Sequence, residues 1–211
     1  TSSSPNNAIS QKVVCITDRD PTQKEKATEK ATHKKCYPFE SNLNTTTYEY
    51  QNHASSLISK FKSHDSICFF SQDVTKGKTF EYDLILHNPK LDLLITESMS
   101  NKADIKGLMS LDLEKATVES YLEKLPMGTP EKPNKENTRI KKGIEASSWD
   151  DEDKKKAIIA TRYLNSLGKG ENALDLAVAL EANYDKKGTS EYKEFHTPQY
   201  IIDAITWLCK D

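Results

Sequence analysis

The sequence predicts an α/β protein in which strands come first and helices follow. Two short runs of apolar and β-branched residues, 12–17 and 66–70, lack the alternation of a half-exposed strand. Each is therefore predicted to be a strand buried on both faces, as in a parallel sheet. From residue 91 onward, apolar residues recur at irregular helix-like spacing. This order favours a sheet-containing core over residues 1–90 and a helical region over residues 91–211.

The length and charge of the chain limit the class of protein. Its 211 residues are enough for about one domain with a buried core. Lys and Arg number 30 and Asp and Glu number 32, for a net charge of −2. A bulk polycation that holds nucleic acid by charge alone is excluded, whereas a local basic patch is not. No apolar run approaches the roughly 20 residues of a membrane span, so we expect no membrane partner.

The first half is predicted to contain five segments after a polar start. A strand at 12–17 ends at Pro21, and the polar segment 22–35 is predicted to be an exposed helix or a mobile loop. The others are a strand at 45–50, a helix at 54–61 and the strand at 66–70, followed by a turn at 75–78.

The second half is predicted to be helical, apart from a loop at 126–137 that contains three prolines. Ser148 is the predicted N-cap of a helix over 149–167, whose first turn is rich in acidic residues. A second helix is predicted over 171–183. Thr197 and Pro198 form a cap-and-first-turn pattern before a last helix at 198–209.

Two acidic pairs are the candidate metal ligands. Asp18 and Asp20 follow the first predicted strand, and ligands of open parallel sheets bind beyond the carboxyl ends of strands. Their mutual repulsion would be relieved by Mg²⁺ or Mn²⁺, although Asp-x-Asp-Pro is also ordinary turn chemistry. Glu81 and Asp83 would face the same side of a strand, but in a helix they would lie about 200° apart. Alternatively, this pair forms the solvated face of a strand.

Lys169 is the candidate catalytic cation. It lies between Gly168 and Gly170 at a predicted helix start, where a basic residue is not favoured electrostatically. It could contact a phosphate or be an ordinary surface lysine. The lysines of segment 22–35 could contact DNA, but a solvated helix is the preferred interpretation. The sequence has no P-loop, so an ATPase is not predicted within this chain.

Taken together and in order, three segments resemble a known family. The strand ending in Asp18-Arg-Asp20-Pro resembles the D-x-D strand of a Toprim domain. Lys78-Thr-Phe-Glu81-Tyr-Asp83-Leu is similar to the acidic motif of OLD-family (overcoming lysogenization defect) ATP-dependent nucleases, which include Gabija-type antiphage nucleases. Gly168-Lys169-Gly170-Glu171 and the terminal Pro-Gln-Tyr-Ile-Ile-Asp-Ala-Ile-Thr-Trp segment resemble the lysine segment and last helix of that family.

The resemblance implies a partial Toprim-like parallel sheet with a C-terminal helical extension, in which the first Toprim strand is missing. It further implies a metal-dependent DNA endonuclease that nicks or cuts DNA, with two Mg²⁺ or Mn²⁺ ions held by Asp18, Asp20, Glu81 and Asp83. Lys169 would offset charge on the scissile phosphate. The implied partners are DNA, an ATPase domain of the same polypeptide or complex, a helicase-type protein and further copies of the chain. The implied setting is antiphage defence in the bacterial cytoplasm.

Two other classes are compatible with the sequence. One is a fragment of another Toprim enzyme, such as a primase or a topoisomerase. The other is a non-catalytic α/β scaffold that binds a partner protein. Mg²⁺ binding separates the scaffold from the enzymes, because a scaffold is expected to bind none.

Overall fold

Two small sheets and a set of helices form the structure, which confirms the predicted mixed α/β class. The computed structural model describes residues 11–28, 30–168 and 170–210. The strands in this part are β1 (Val13–Ile16), β2 (Thr22–Glu25), β3 (Lys34–Lys35), β4 (Tyr48–Gln51) and β5 (Ile67–Phe70). The α-helices in the same part are α1 (His53–Phe61), α2 (Phe80–His87), α3 (Lys102–Met109), α4 (Val118–Glu123), α5 (Lys135–Ala146), α6 (Asp151–Leu164), α7 (Glu171–Tyr184) and α8 (Gln199–Leu208).

The first sheet consists of β1 and β5, which pair in parallel as predicted. Val13 lies opposite Ile67, and Ile16 lies opposite Phe70. The prediction that β1 is buried on both faces is wrong, because Val13 is 47% exposed and Ile16 is 51% exposed. In the described part of the chain β1 has one strand neighbour, β5. Helix α8 packs against both strands, so the carboxyl ends of β1 and β5 lie side by side near α8.

The second sheet is antiparallel, with the order β3-β2-β4. The prediction of a helix or mobile loop over 22–35 is therefore wrong for its first and last parts. Gln23 lies opposite Tyr50 on β4, and Glu25 lies opposite Tyr48. These strands carry few apolar residues because much of the small sheet is open to solvent. Their backbone is organised by pairing with a distant segment, which local composition does not reveal.

Helix α2 is the most deeply buried helix of the first half. Tyr82, Leu84 and Ile85 are fully buried, and α2 packs along α6, where Ile158 and Ile159 are also fully buried. The main hydrophobic cluster takes residues from both sides of position 90. The segments predicted as a core and a helical region thus share one apolar interior.

Side-chain caps define several helix starts. At α1, Asn52 Oδ1 accepts a hydrogen bond from Ser55 N (2.9 Å). At α5 the cap is Asn134, so the proline-containing loop ends before Lys135. Asp150, rather than the predicted Ser148, caps α6 by accepting from Asp153 N. The Asp150 carboxylate also interacts favourably with the positive end of α6. The cap of α8 is Pro198, one residue later than predicted.

Candidate functional site

The candidate site begins where the two parallel strands end. Asp18 lies two residues beyond β1, and Gln72 lies two residues beyond β5. Thr17 N donates to Phe70 O over 3.0 Å, so the strand pairing continues past the end of β1. Gln72 Nε2 then donates to Asp18 Oδ1 over 2.8 Å. The parallel register therefore brings these two polar side chains together.

Gln72 is a buried residue that organises the strand ends, and no sequence motif marks it. Only 1% of it is exposed, and its Oε1 accepts hydrogen bonds from Arg19 N (2.9 Å) and Ser71 Oγ (3.1 Å). A Cβ atom at Gly77 would lie 2.3 Å from Gln72 Cβ, so the following turn needs glycine to close over this side chain. The available signal was positional, because Gln72 follows its strand at the same distance as Asp18 follows β1.

Asp18 is also tied to the start of α2. Its Oδ1 accepts a second hydrogen bond from Phe80 N (3.0 Å), one of the N-terminal amides of that helix. Burial is the largest effect on Asp18 and raises its pKa, and the charges of Glu81 and Asp20 raise it further. The hydrogen bonds from Gln72 and Phe80 oppose this rise only in part. Asp18 therefore lies in a partly desolvated, acidic environment.

The second acidic pair lies on a helix rather than a strand. Glu81 and Asp83 are in the first turn of α2, and positions two apart in a helix point in directions about 200° apart. Asp83 is only 2% exposed, and its Oδ1 has no hydrogen-bond partner in the described structure. Burial, with the charges of Asp73 and Asp18, raises the pKa of Asp83 to about 7.

Asp18 and the first turn of α2, which carries Glu81 and Asp83, together form an acidic neighbourhood that Tyr200 on α8 adjoins. Gln72 Nε2 lies 3.4 Å from the Tyr200 hydroxyl, and Tyr200 is 7% exposed. Burial raises the pKa of Tyr200 to about 12, and the charges of Asp83, Asp18 and Glu81 all contribute. Helix α8 thus covers the acidic neighbourhood with a hydroxyl group that stays protonated at neutral pH.

Asp20 faces a different set of groups. Its backbone adopts a left-handed conformation with φ of 38°, and its Oδ2 is 3.4 Å from Lys35 Nζ while its Oδ1 is 3.8 Å from Lys78 Nζ. Lys78 is 5% exposed and also donates to Cys36 O (3.1 Å). Burial lowers the pKa of Lys78, whereas the Asp20 carboxylate opposes that shift. Asp20 therefore joins the acidic residues to a basic pocket.

The donors fit a hard divalent cation in type but do not form a closed ligand set. Carboxylate oxygens are the ligands that Mg²⁺ and Mn²⁺ prefer, and Asp83 and Asp20 each have a buried oxygen without a hydrogen bond in the described structure. Over residues 11–28, 30–168 and 170–210, no group of three or more His, Cys, Asp or Glu side chains is arranged to hold a metal ion. The convergence of all four acidic residues on one ion stays a prediction.

A cavity of about 430 Å³ adjoins the acidic neighbourhood. Phe80 and Glu81 line one side, and Tyr163, Gly168 and Gly170 line others. Burial raises the pKa of Tyr163, and the charge of Glu81 raises it further. Lys169, the predicted catalytic cation, lies outside the described residues. Its two glycine neighbours nevertheless line the same cavity as Glu81.

Asn172, which no sequence pattern singled out, holds Gly168 at this cavity. It is 6% exposed, and its Oδ1 accepts from Gly168 N over 2.5 Å. Its Nδ2 donates to Thr96 Oγ1 (3.1 Å) and Ser98 Oγ (3.0 Å). An amide that bonds three partners fixes the first turn of α7 relative to the loop before α3.

Comparisons with protein-family models, curated proteins and solved structures find no match to this chain. Among the helices of the described residues, none is both long enough and apolar enough to cross a membrane. Function must therefore be inferred from the arrangement of the side chains.

Proposed function

We propose that this chain is the metal-dependent DNA endonuclease module of an OLD-family ATP-dependent nuclease. The observation that carries the proposal is the position of Asp18, which lies beyond the carboxyl end of β1 and accepts a hydrogen bond from Phe80 N in the helix turn that carries Glu81 and Asp83. The exposed Val13 and Ile16 on β1 support a Toprim-like sheet that is partial in this chain. DNA, an ATPase domain, a helicase-type protein and further copies of the chain remain the proposed partners.

The proposed roles follow from the environment of each side chain. Asp18 and Glu81 would hold one divalent ion. Asp83 points about 200° away from Glu81 around α2, so it would contribute its unpaired Oδ1 to a second ion. A bound Mg²⁺ or Mn²⁺ would lower the pKa of a water molecule and neutralise charge on the leaving oxygen. Gln72 and Phe80 N keep Asp18 in place, while Asp20 would contribute to the same ion or to a second one.

Lys169 would supply positive charge to the scissile phosphate. Its neighbours in the sequence, Gly168 and Gly170, line the cavity that Glu81 also lines. A cation held in advance near developing negative charge lowers the barrier more than it increases substrate binding. This role therefore predicts an effect on turnover rather than on affinity.

A non-catalytic scaffold is the second candidate. The observation that favours it is that protein donors already occupy Asp18, through Gln72 and Phe80, and Asp20, through Lys35. Such contacts are also expected of carboxylates that only join strands to loops. In that case the acidic residues would bind no divalent ion.

Two measurements on Asp18→Asn test the proposal. The first is titration calorimetry with MgCl₂ or MnCl₂, and the second is plasmid cleavage by the full-length protein. Asparagine keeps the Oδ1 acceptor for Gln72 and Phe80 but removes the charge, so folding should be retained. If the chain is a nuclease, Asp18→Asn should lose ion binding and cleavage together. The matched control, Asp185→Asn, removes a carboxylate after the last turn of α7 and should leave both unchanged. Unaltered cleavage by folded Asp18→Asn would overturn the nuclease proposal.

A further inference from the structure

A groove of about 710 Å³ lies between α5 and the antiparallel sheet, away from the acidic neighbourhood. Tyr48 and Tyr50 line it from β4, and Lys135, Arg139 and Lys142 line it from α5. One wall is thus aromatic and the other is basic. The proposed catalytic roles use neither wall.

The aromatic wall presents two rings to the groove. Tyr48 and Tyr50 are two positions apart in a strand, so their side chains lie on the same face. Their ring centroids are 6.4 Å apart and their planes are tilted by 51°, so the rings do not stack on each other. Both residues are half-buried, and the Tyr50 hydroxyl accepts a hydrogen bond from Asn44 N (3.4 Å). The Tyr50 ring is therefore held in place, and part of each ring remains open.

The basic wall follows from the spacing of residues on α5. Positions 135, 139 and 142 are four and three residues apart, which places them along one helix face. Arg139 donates to both carboxylate oxygens of Glu40 at 2.7 Å, which neutralises the one acidic side chain that lines the groove among the described residues. Lys135 and Lys142 are exposed and make no ion pair with any described residue. Two lysine charges thus remain for an anionic ligand.

Arg139 connects this groove with the neighbourhood of Asp20. It lines the groove and also a pocket of about 270 Å³ that contains Lys35, Lys78 and Asp20. The groove therefore adjoins a pocket in which Lys35 and Lys78 lie beside Asp20. A chain of phosphates that followed the lysines of α5 into this pocket would arrive beside Asp20.

We propose that the groove binds single-stranded nucleic acid, with bases against Tyr48 and Tyr50 and the phosphates along α5. Single-strand binding combines stacking of bases on aromatic rings with a basic groove for the backbone. The faces of bases inside a duplex are already stacked on each other, so a duplex cannot use the tyrosines. Binding of a single strand in the groove does not depend on the nuclease proposal. Only the statement that a single strand is the form of substrate that reaches the acidic residues rests on the proposed nuclease function.

Fluorescence anisotropy with a labelled 15-nucleotide poly-dT tests the groove in EDTA, where neither metal binding nor cleavage intervenes. The wild-type chain should bind the single strand more tightly than a duplex of equal length. Loss of a stacked base costs about 1–3 kcal/mol, so Tyr48→Ala should weaken binding by about 5- to 150-fold. Tyr48→Phe keeps the ring and should retain most of the affinity, which separates stacking from a folding defect.

The lysines are tested by the salt dependence of the same binding. Lys135→Ala combined with Lys142→Ala should reduce the slope of log K against log salt by about 1.4, at about 0.7 for each lost phosphate contact. The matched control combines Tyr184→Ala with Lys187→Ala, because Lys187 lies over the exposed Tyr184 ring (5.5 Å) at the far end of α7. This control should bind as wild type does.

Equal affinity for duplex and single strand, or equal losses in the groove and control variants, would overturn the inference. Absence of nucleic-acid binding by the folded wild-type chain would also overturn it and would point to a protein partner. Failure of the nuclease proposal is distinguishable, because it would leave binding in EDTA intact while the full-length protein failed to cleave. Conversely, cleavage with unchanged binding by Tyr48→Ala would reject the groove alone.

Discussion

Gln72 Nε2 donates a hydrogen bond to Asp18 Oδ1 over 2.8 Å and thereby joins the ends of two parallel strands that are far apart in sequence. The same amide group lies 3.4 Å from the Tyr200 hydroxyl of α8. One buried glutamine therefore links β1, β5 and the last helix. The position of the candidate catalytic carboxylate depends on a residue that carries no charge.

Replacing Gln72 with alanine should destabilise the fold. The change leaves partly buried Arg19 N and Asp18 Oδ1 without one partner each, and an unmade buried hydrogen bond costs about 1–3 kcal/mol. Urea denaturation measures this loss in the free energy of unfolding. The control is Gln51→Ala, since Gln51 is exposed and its amide bonds only the neighbouring Glu49. Similar small effects from both substitutions would contradict a central role for Gln72.

The stability of the metal-free protein should fall with rising pH because of Asp83. The folded chain keeps this proton to about pH 7, whereas the unfolded chain releases it near its ordinary pKa of 3.8. Between these values the folded state binds more protons, so the free energy of unfolding decreases as pH rises. The stabilising contribution of the Asp83 proton to the free energy of unfolding is fully present below pH 3.8 and is lost by about pH 7.

Asp83→Asn isolates this effect. One pKa unit corresponds to about 1.4 kcal/mol. The raised pKa of Asp83 therefore limits the pH-dependent change in the free energy of unfolding to about 4 kcal/mol. Denaturation in EDTA at pH 5 and pH 8 should show that the variant gains stability relative to wild type at the higher pH. Asp185→Asn, an exposed control, should follow the wild-type curve. Parallel pH profiles for Asp83→Asn and wild type would show that Asp83 ionises normally.

Two helical glycines should respond to alanine in opposite directions. A Cβ atom at Gly143 would lie 2.6 Å from the buried Phe39 ring, so Gly143→Ala should destabilise the fold by about 1–3 kcal/mol. A Cβ atom at Gly107 would meet no atom within 4 Å, and alanine there should stabilise α3 by about 0.5–1 kcal/mol. Thermal and urea unfolding of the two variants provide the comparison. Stabilisation by Gly143→Ala would mean that α5 does not approach Phe39 this closely.

Lys169→Ala should slow DNA cleavage by the full-length protein about 10²-fold or more. This is the scale for losing one preorganised group at a developing charge. DNA affinity should change little, because one phosphate contact among many is removed. Lys169→Arg should not restore the rate, since the guanidinium group has a different reach and geometry.

Single-turnover cleavage at saturating DNA measures the rate that the Lys169 prediction concerns. Lys187→Ala is the matched control, because it removes one exposed lysine beyond the other end of α7. It should cleave at the wild-type rate. A wild-type rate for Lys169→Ala would end the catalytic assignment of this residue.

Local sequence patterns were sufficient where each element depends on its own residues. The apolar runs before Asp18 and Gln72 predicted β1 and β5, and apolar periodicity predicted α1, α7 and α8. Such patterns report how a segment can hide its apolar side chains. Strands β2 and β3 escaped detection because their polar residues acquire extended structure only by pairing, β2 with β3 and β4, and β3 with β2.

The amino-acid sequence established the α/β class and placed Asp18 and Asp20 at a strand end. Tertiary packing decided how the acidic residues are used. The mixture of apolar and acidic residues after Lys78 is compatible with a strand or a helix, and burial of Tyr82 against α6 selects the helix. That choice separates Glu81 from Asp83, while contacts from distant segments bring Gln72 to Asp18 and Lys35 to Asp20. Such long-range contacts depend on how the chain folds back on itself, which spacing along the sequence does not encode.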